Sequence, residues 1–536
     1  MDQTSAIMAS ASYDVAERRS YGSVDYGEAP PVELTALEPW TGEVETATPS
    51  SGSVPSITHL KEEMIAKEDD RQTDWKAVGL ATVITFMTMV ESSIVQNGEW
   101  PYMNTIDPDA TTSFFGATTA VCKGGHAIFV IFFALAEHRF HHTKWLILLG
   151  RVISTAGGIL YIFVEFFPVN RRFVLLISYF IFGIGASPTP LLRSYVSLNS
   201  REEHRTKAFA LLNVSTVLSV LVGPLVQLAF SGIKYPGHTI FGELKFHIFS
   251  APMYVSLLLN VIASFLIIFL FEDPPIVEAE DVPSKERQSS FSWTGIKSSA
   301  VQLWGKMRSM PFSWPIVALL IVMKPLTGLT TATMQANVGP LLMIVYALSS
   351  TETVQLMSVA QIVVGVLAIS LSLLLIFANL GRWISNRLLF LIAFSITITM
   401  YAVSYPWPMW SHHVELINST THAGCDPAKY GWCYDNLGSS VWTLIPILVV
   451  QMGFCVPAFA ISLDAIYSKA LGDIDQSLMQ SVFSIAEDLM LVVGPLYSSA
   501  IFTAAGMPVL WIVNFSITAV SIGIWVLIWR PIAKYQ

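Results

Sequence analysis

Twelve apolar stretches dominate the sequence, near residues 77–97, 112–136, 145–166, 173–198, 208–231, 247–271, 313–347, 353–378, 388–407, 439–467, 477–503 and 507–530. A helix needs about 20 such residues to cross the hydrocarbon core of a bilayer. In that medium each segment must satisfy its own backbone polar groups, which a helix does. The pattern predicts an all-α membrane protein with twelve transmembrane helices. Composition agrees: charged residues make up 13 % of the 536 and hydrophobic ones 53 %, whereas a soluble domain carries about 25 % charged residues. A wholly disordered chain is excluded by the same balance, and four cysteines are too few for a disulfide-rich secreted fold. The stretches 313–347 and 439–467 are long for one crossing and read as tilted, kinked or extended beyond the lipid.

The net charge of −9 is unevenly placed. Residues 1–75 hold 15 acidic and 5 basic side chains, so the acidity lies in one tail and the body is nearly neutral. That tail is rich in Ser, Thr, Pro, Gly and Glu, with no sustained apolar period, and reads as a disordered cytosolic segment. It has no signal-peptide pattern, so the first apolar stretch is expected to direct insertion. Tyr21 and Val24 fit a short adaptor-type sorting signal, a four-residue pattern that also arises by chance. No basic patch suggests nucleic acid.

Lysine and arginine in short loops set orientation. With the N-terminus cytosolic, the cytosolic connections carry Arg139, Lys144, Arg201, Arg205, Lys207, Arg382, Arg387 and Lys469, and the opposite side carries Arg171, Arg172, Lys234, Lys245 and Lys429. Residues 272–312 form the longest internal hydrophilic stretch and read as a cytosolic linker between an N-terminal bundle, 76–271, and a C-terminal bundle, 313–530. Residues 531–536 then form a cytosolic C-terminus. The loop 408–438 falls on the luminal side. It holds the glycosylation sequon at Asn418, and Cys425 and Cys433 lie close enough to pair in an oxidising lumen.

Two stretches repeat. Gly223-Pro224 and Gly494-Pro495 stand 271 residues apart, and the same offset carries Arg193 onto Asp464. Coincidence at one offset, six spans apart, suggests a duplicated half. Proline bends a helix and glycine admits a close neighbour, so these pairs mark either moving joints or static kinks.

Ionisable groups inside a span cost at least about 2.5–3.5 kcal/mol at mid-helix, so each is a site candidate. They are Glu91, Lys123, Arg193, Lys324, Asp464, Glu487 and Asp488, with Glu165 nearer an interface. Half-membership allows Glu91 to neutralise Lys123 or Arg193, and Lys324 to pair with Glu487 or Asp488. A carboxylate in a partly dry cavity binds protons more readily, and a cation there attracts an anion. His138, His141 and His142 read as a solvated loop, with cytosolic pH sensing as the alternative.

Several strings carry a resemblance: WPYMNTIDPDATTSFFG after the first span, GIGASPTPLLRSYV in the fourth, the run from Glu202 to Gln227, and GCDPAKYGWC in the loop 408–438. On these the chain resembles the major facilitator superfamily over roughly 76–530, with a likeness to its lysosomal members. The resemblance implies two six-helix bundles around a central cavity, residence in late endosomes and lysosomes, and a glycosylated luminal loop. It also implies chloride conductance and a proton-coupling role for Arg193. Where the superfamily loop between spans two and three has glycine, aspartate and paired basic residues, this chain has Phe133, Glu137 and His141, with Arg139 between them. The second-half loop keeps Gly381 and Arg382, gate-loop candidates together with Glu137 and Arg139.

The resulting expectation is an endolysosomal secondary transporter or ion pathway for a small solute or anion, chloride or proton-coupled solute among the candidates. Its partners are membrane lipid, that solute and sorting adaptors. A non-transporting scaffold acting through its tail is the rival, and it gives no reason for costly intramembrane charges. No phosphate-cradling loop, nucleophile constellation or metal-ligand set stands out, so neither an enzyme nor a cofactor is expected.

Overall fold

The computed structural model describes residues 73–140, 142–242, 244–273, 313–377, 384–418, 423–471 and 477–535. Tyr21, Val24, Gly381 and Arg382 lie outside them, as do the side chains of His138, Arg139 and His141.

The N-terminal half comprises α1 (Trp75–Gln96), α2 (Glu99–Ile106), α3 (Thr112–Phe140), α4 (Thr143–Ile162), α5 (Arg171–Ala186), α6 (Thr189–Leu198), α7 (Glu202–Ala229) and α8 (Ser250–Leu270). The C-terminal half comprises α9 (Trp314–Ile344), α10 (Ser350–Phe377), α11 (Asn386–Val403), α12 (Val441–Val450), α13 (Val456–Leu471) and α14 (Ser477–Leu527). A π-helical turn, Gln451–Cys455, joins α12 to α13, so this long stretch is one crossing with a local bulge. α14 is two crossings: Gly506 breaks it at φ 77°, a conformation open to glycine and strained for other residues. Counted this way, twelve crossings stand among the described residues, six in each half. Their outer faces expose Ile128, Phe132, Phe269 and Leu527, as lipid contact requires.

Within the first bundle α1 packs on α7 and α4 on α5; within the second, α9 packs on α14 and α11 on α13. Between the bundles, α3 meets α14 and α7 meets α10. The repeated glycines serve the first set of contacts. A Cβ on Gly223 would collide with Ser93 of α1, and one on Gly494 would lie 2.5 Å from the Ala332 Cβ of α9. Both positions therefore carry equivalent helix contacts inside their own bundles.

Apolar packing is distributed unequally along the membrane normal. At the end where α1 begins and α14 ends (the terminal end), each bundle keeps its own core, Phe133, Leu192 and Phe271 in one and Phe390, Phe459 and Trp525 in the other. At the far end a single core runs through both bundles, joining Trp100, Phe115 and Tyr179 to Met334, Val338, Trp432 and Trp511. Polar contacts reinforce this join. Thr112 and Thr503 hydroxyls lie 2.6 Å apart, Thr105 and Ser350 hydroxyls 2.8 Å, and Asn97 donates to Ser358 at 3.4 Å.

The loop 408–438 caps the same end. Cys425 and Cys433 are disulfide-bonded. Trp432 donates to the Thr503 carbonyl at 3.2 Å, Asn436 to that of Ala505 at 3.0 Å, and Lys429 reaches the Pro108 carbonyl across the bundle boundary. Asn418 is exposed.

Gly116 of α3 faces Ser499 and the Pro495 carbonyl so closely that a Cβ has no room. Gly116→Leu should therefore wedge the far end apart. Spin labels on the exposed Asp109 and Glu352, one per bundle, should report a longer separation in this variant. An unchanged distance distribution would show that the glycine contact does not hold the bundles together.

Candidate functional site

A cavity of about 770 Å³ lies between the bundles, on the terminal side of the shared core. Trp100, Phe115, Met334 and Val338 belong to both and form its floor. Two helix breaks shape the N-terminal wall. At Asn97-Gly98 the chain leaves α1 and restarts as α2, which brings Glu99 to the wall. At Ser187-Pro188 the chain leaves α5 and restarts as α6, which carries Arg193 to the wall. α3 supplies Lys123 and, one turn on, His126.

Lys123 and Arg193 are exposed to this space, and neither makes a hydrogen bond or ion pair with a described residue. Glu99 is half-buried and also without a hydrogen-bond partner among the described residues. It stands beyond the end of the first crossing. Burial pushes its carboxyl up to about 7, and the Lys123 ammonium restrains that rise.

Glu91 reaches the wall in a different state. The sequence suggested Lys123 or Arg193 as its partner; the structure gives it Arg151 of α4. Arg151 donates from Nη1 to Glu91 Oε2 at 2.9 Å and to Asn260 Oδ1 at 3.3 Å, and from Nη2 to the Gly185 carbonyl at 3.2 Å. The other Glu91 oxygen accepts from Asn260 Nδ2 at 2.8 Å and from the Ser154 hydroxyl. This buried knot ties α1, α4, α5 and α8 together and leaves the two wall cations unneutralised. Arg151 was overlooked in the sequence although it lies inside the third apolar stretch, where the cost argument applied to Lys123 applies equally. Glu99 gave no such signal, because it follows the first stretch.

The other intramembrane charges lie off the cavity. Lys324 Nζ sits 3.0 Å from Asp464 Oδ1 and 3.0 Å from Glu487 Oε2, with the Phe483 ring centroid 5.0 Å away. The pairing with Glu487 is one that half-membership allowed. Asp464 joins it, and the group lies beside the C-terminal bundle's own core. Neither these residues nor the exposed Asp488 belongs to the cavity lining. Glu165 is also placed differently from expectation: it is buried, accepting from His247 Nε2 at 3.0 Å and facing Lys245 Nζ at 3.1 Å. His247 Nδ1 accepts from the amides of Phe249 and Ser250, which fixes its proton on Nε2. Glu137 accepts from Thr143 at 3.1 Å, beside the start of α4.

The C-terminal wall has a different chemistry. Its polar lining is Thr331 and Gln335 from α9 and Gln361 from α10, and its described lining residues include no ionisable side chain. The rest is apolar, with Met357 and Met452 prominent.

Two bundles enclosing a cavity at their interface, with one end sealed, is an arrangement for moving a solute. Residues 80–437 match the family model of the Major Facilitator Superfamily. The chain belongs to that superfamily. It is a multi-pass membrane transporter and not an enzyme. Among curated proteins it is 23 % identical over 470 residues to major facilitator superfamily domain-containing protein 8 of Xenopus laevis, covering 83 % of this chain and 89 % of that protein. Among solved structures it is similar to an inward-facing, unoccupied bacterial homologue of the human lysosomal transporter Spinster. The TM-score is 0.57 at 12 % identity, covering 86 % of this chain and 98 % of that one. It is also similar to a D-xylose–proton symporter, with TM-score 0.57 at 10 % identity over 86 % and 97 % of the two chains. The nucleoside transporter NupG gives 0.52 at 13 % identity over 86 % and 100 %. These similarities establish the twelve-helix architecture that the apolar pattern predicted.

Proposed function

We propose that the protein is a proton-coupled secondary transporter of a small anion in the endolysosomal membrane. In this reading both termini are cytosolic, the cavity faces the cytosol, and the loop bearing Asn418 is luminal and glycosylated. The observation that carries it is the pair of wall cations. Lys123 and Arg193 are exposed to the cavity and without a hydrogen-bonding or ion-pairing partner among the described residues, whereas Arg151 is consumed by Glu91. A costly charge left open to the solute path is a binding group for the opposite charge. The loop-charge bias supports the orientation, and the resemblance to lysosomal members supports the compartment. Chloride is among the anions this reading includes. Tyr21 and Val24 are proposed as the adaptor-binding signal.

The test is anion uptake into proteoliposomes containing purified protein. Lys123→Gln and Arg193→Gln should each lower the apparent affinity by about 10- to 100-fold, the range for losing a charge-assisted hydrogen bond of about 1.5–3 kcal/mol. Neither side chain holds the fold by a hydrogen bond, so thermal stability should stay close to wild type. Unchanged uptake in both variants would refute the anion reading.

A further inference from the structure

The cavity is too large and too one-sided for a halide alone. Its volume of about 770 Å³ falls within the range of about 300–1,000 Å³ typical of small-molecule sites. Every ionisable group among its described lining residues comes from the N-terminal bundle. The facing wall offers amides instead. Gln335 is exposed, while residues 332–334 and 336–344 around it on α9 are all buried. This exposed amide lines the cavity. Gln335 has no hydrogen-bond partner among the described residues, and Gln361 on α10 likewise has none. The walls also present Trp100, Phe115 and Phe182 on one side and Met357 and Met452 on the other, a polarisable apolar surface.

We infer that the solute is an organic anion with an apolar body and a neutral hydrogen-bonding group. Lys123 and Arg193 hold its acid group, and Gln335 and Gln361 hold the neutral group on the opposite wall. This rests on the anion reading above and names its substrate class. The division has a mechanical use. A solute bridging the walls engages both bundles at once, whereas a halide on Lys123 and Arg193 touches one. An amide built to hydrogen-bond the solute also rejects an analogue that lacks the matching group.

Three small probes separate the parts: N-acetyl-L-phenylalanine carries acid, ring and amide, 3-phenylpropionate lacks the amide, and N-acetylphenethylamine lacks the acid. Binding of each to the purified full chain, and of chloride, is read by thermal protection across a concentration series. N-acetyl-L-phenylalanine should bind about tenfold more tightly than 3-phenylpropionate, and N-acetylphenethylamine should give no protection. Gln335→Leu or Gln361→Leu should erase the tenfold preference and leave 3-phenylpropionate binding unchanged, which also shows that the variant is folded. Lys123→Gln should weaken both acids. If chloride binds in a Lys123-dependent manner while neither organic acid does, the organic-anion inference is overturned and the anion reading stands. If Lys123→Gln leaves every probe unaffected, the anion reading itself falls.

Discussion

Arg151→Ala is expected to destabilise the protein by about 3–5 kcal/mol, the range for breaking a buried ion pair by removing one partner. The Arg151 and Glu91 side chains are 4 % and 7 % exposed, so truncating the guanidinium leaves a carboxylate that water barely reaches. Ser154 and Asn260 still donate to it, but no opposite charge remains within the knot. The expected signs are a lower melting temperature in detergent and a loss of monodisperse protein. A companion variant, Arg151→Met with Glu91→Met, should recover most of the loss, because it removes both charges and keeps the volume. If Arg151→Ala melts with the wild type, the knot is not what fastens α1, α4, α5 and α8.

Glu99→Gln should remove the pH dependence of anion binding. With the wild-type carboxyl pushed up to about 7, Glu99 is mostly neutral below that pH and mostly ionised above it. In the proposed transporter the ionised form, which Lys123 already attracts, would compete with the anion for that ammonium. Wild-type affinity should therefore rise as pH falls from 8 to 6, on the order of tenfold, one pKa unit being worth about 1.4 kcal/mol. The Gln variant mimics the neutral form, so it should keep the low-pH affinity throughout and lose proton-driven accumulation. Lys123 and Cys122 of α3, Tyr161 of α4 and Tyr179 of α5 act electrostatically on this group, and His126, one turn from Lys123, lines the same cavity. Histidine is the side chain whose unperturbed titration falls between pH 5 and 8, so His126→Gln is the matching control. A slope that persists in Glu99→Gln and disappears in His126→Gln would assign the proton to the histidine.

The helices were legible because crossing a bilayer demands about 20 apolar residues whatever the neighbours are. Even the junction inside α14 showed, as the gap between 503 and 507 that holds Gly506. The 271-residue offset was legible too, since Gly223 and Gly494 each admit a facing helix of their own bundle. Charge partners were not. Hydropathy prices a charge without saying what neutralises it, and the partner arrives from another helix. Glu91 lies 60 residues from Arg151, and Lys324 lies 140 residues from Asp464. Glu99 escaped for a related reason. Its position beyond the first apolar stretch makes it look solvated, and only the break at Asn97-Gly98 brings it back to the cavity. Glu165 looked like an interfacial residue until the 238–246 hairpin and His247 closed over it.

The placement of all the wall charges on one bundle has an electrical consequence. With Glu99 ionised, the empty wall carries one net positive charge from Lys123, Arg193 and Glu99, and taking up a proton on Glu99 together with a monoanion leaves that charge unchanged. A carrier of this kind would reorient with the same charge loaded and empty. Moving one elementary charge through 100 mV is worth about 2.3 kcal/mol, but the voltage would act equally on delivery and return, so the full cycle would be electroneutral and driven by the proton and anion gradients alone.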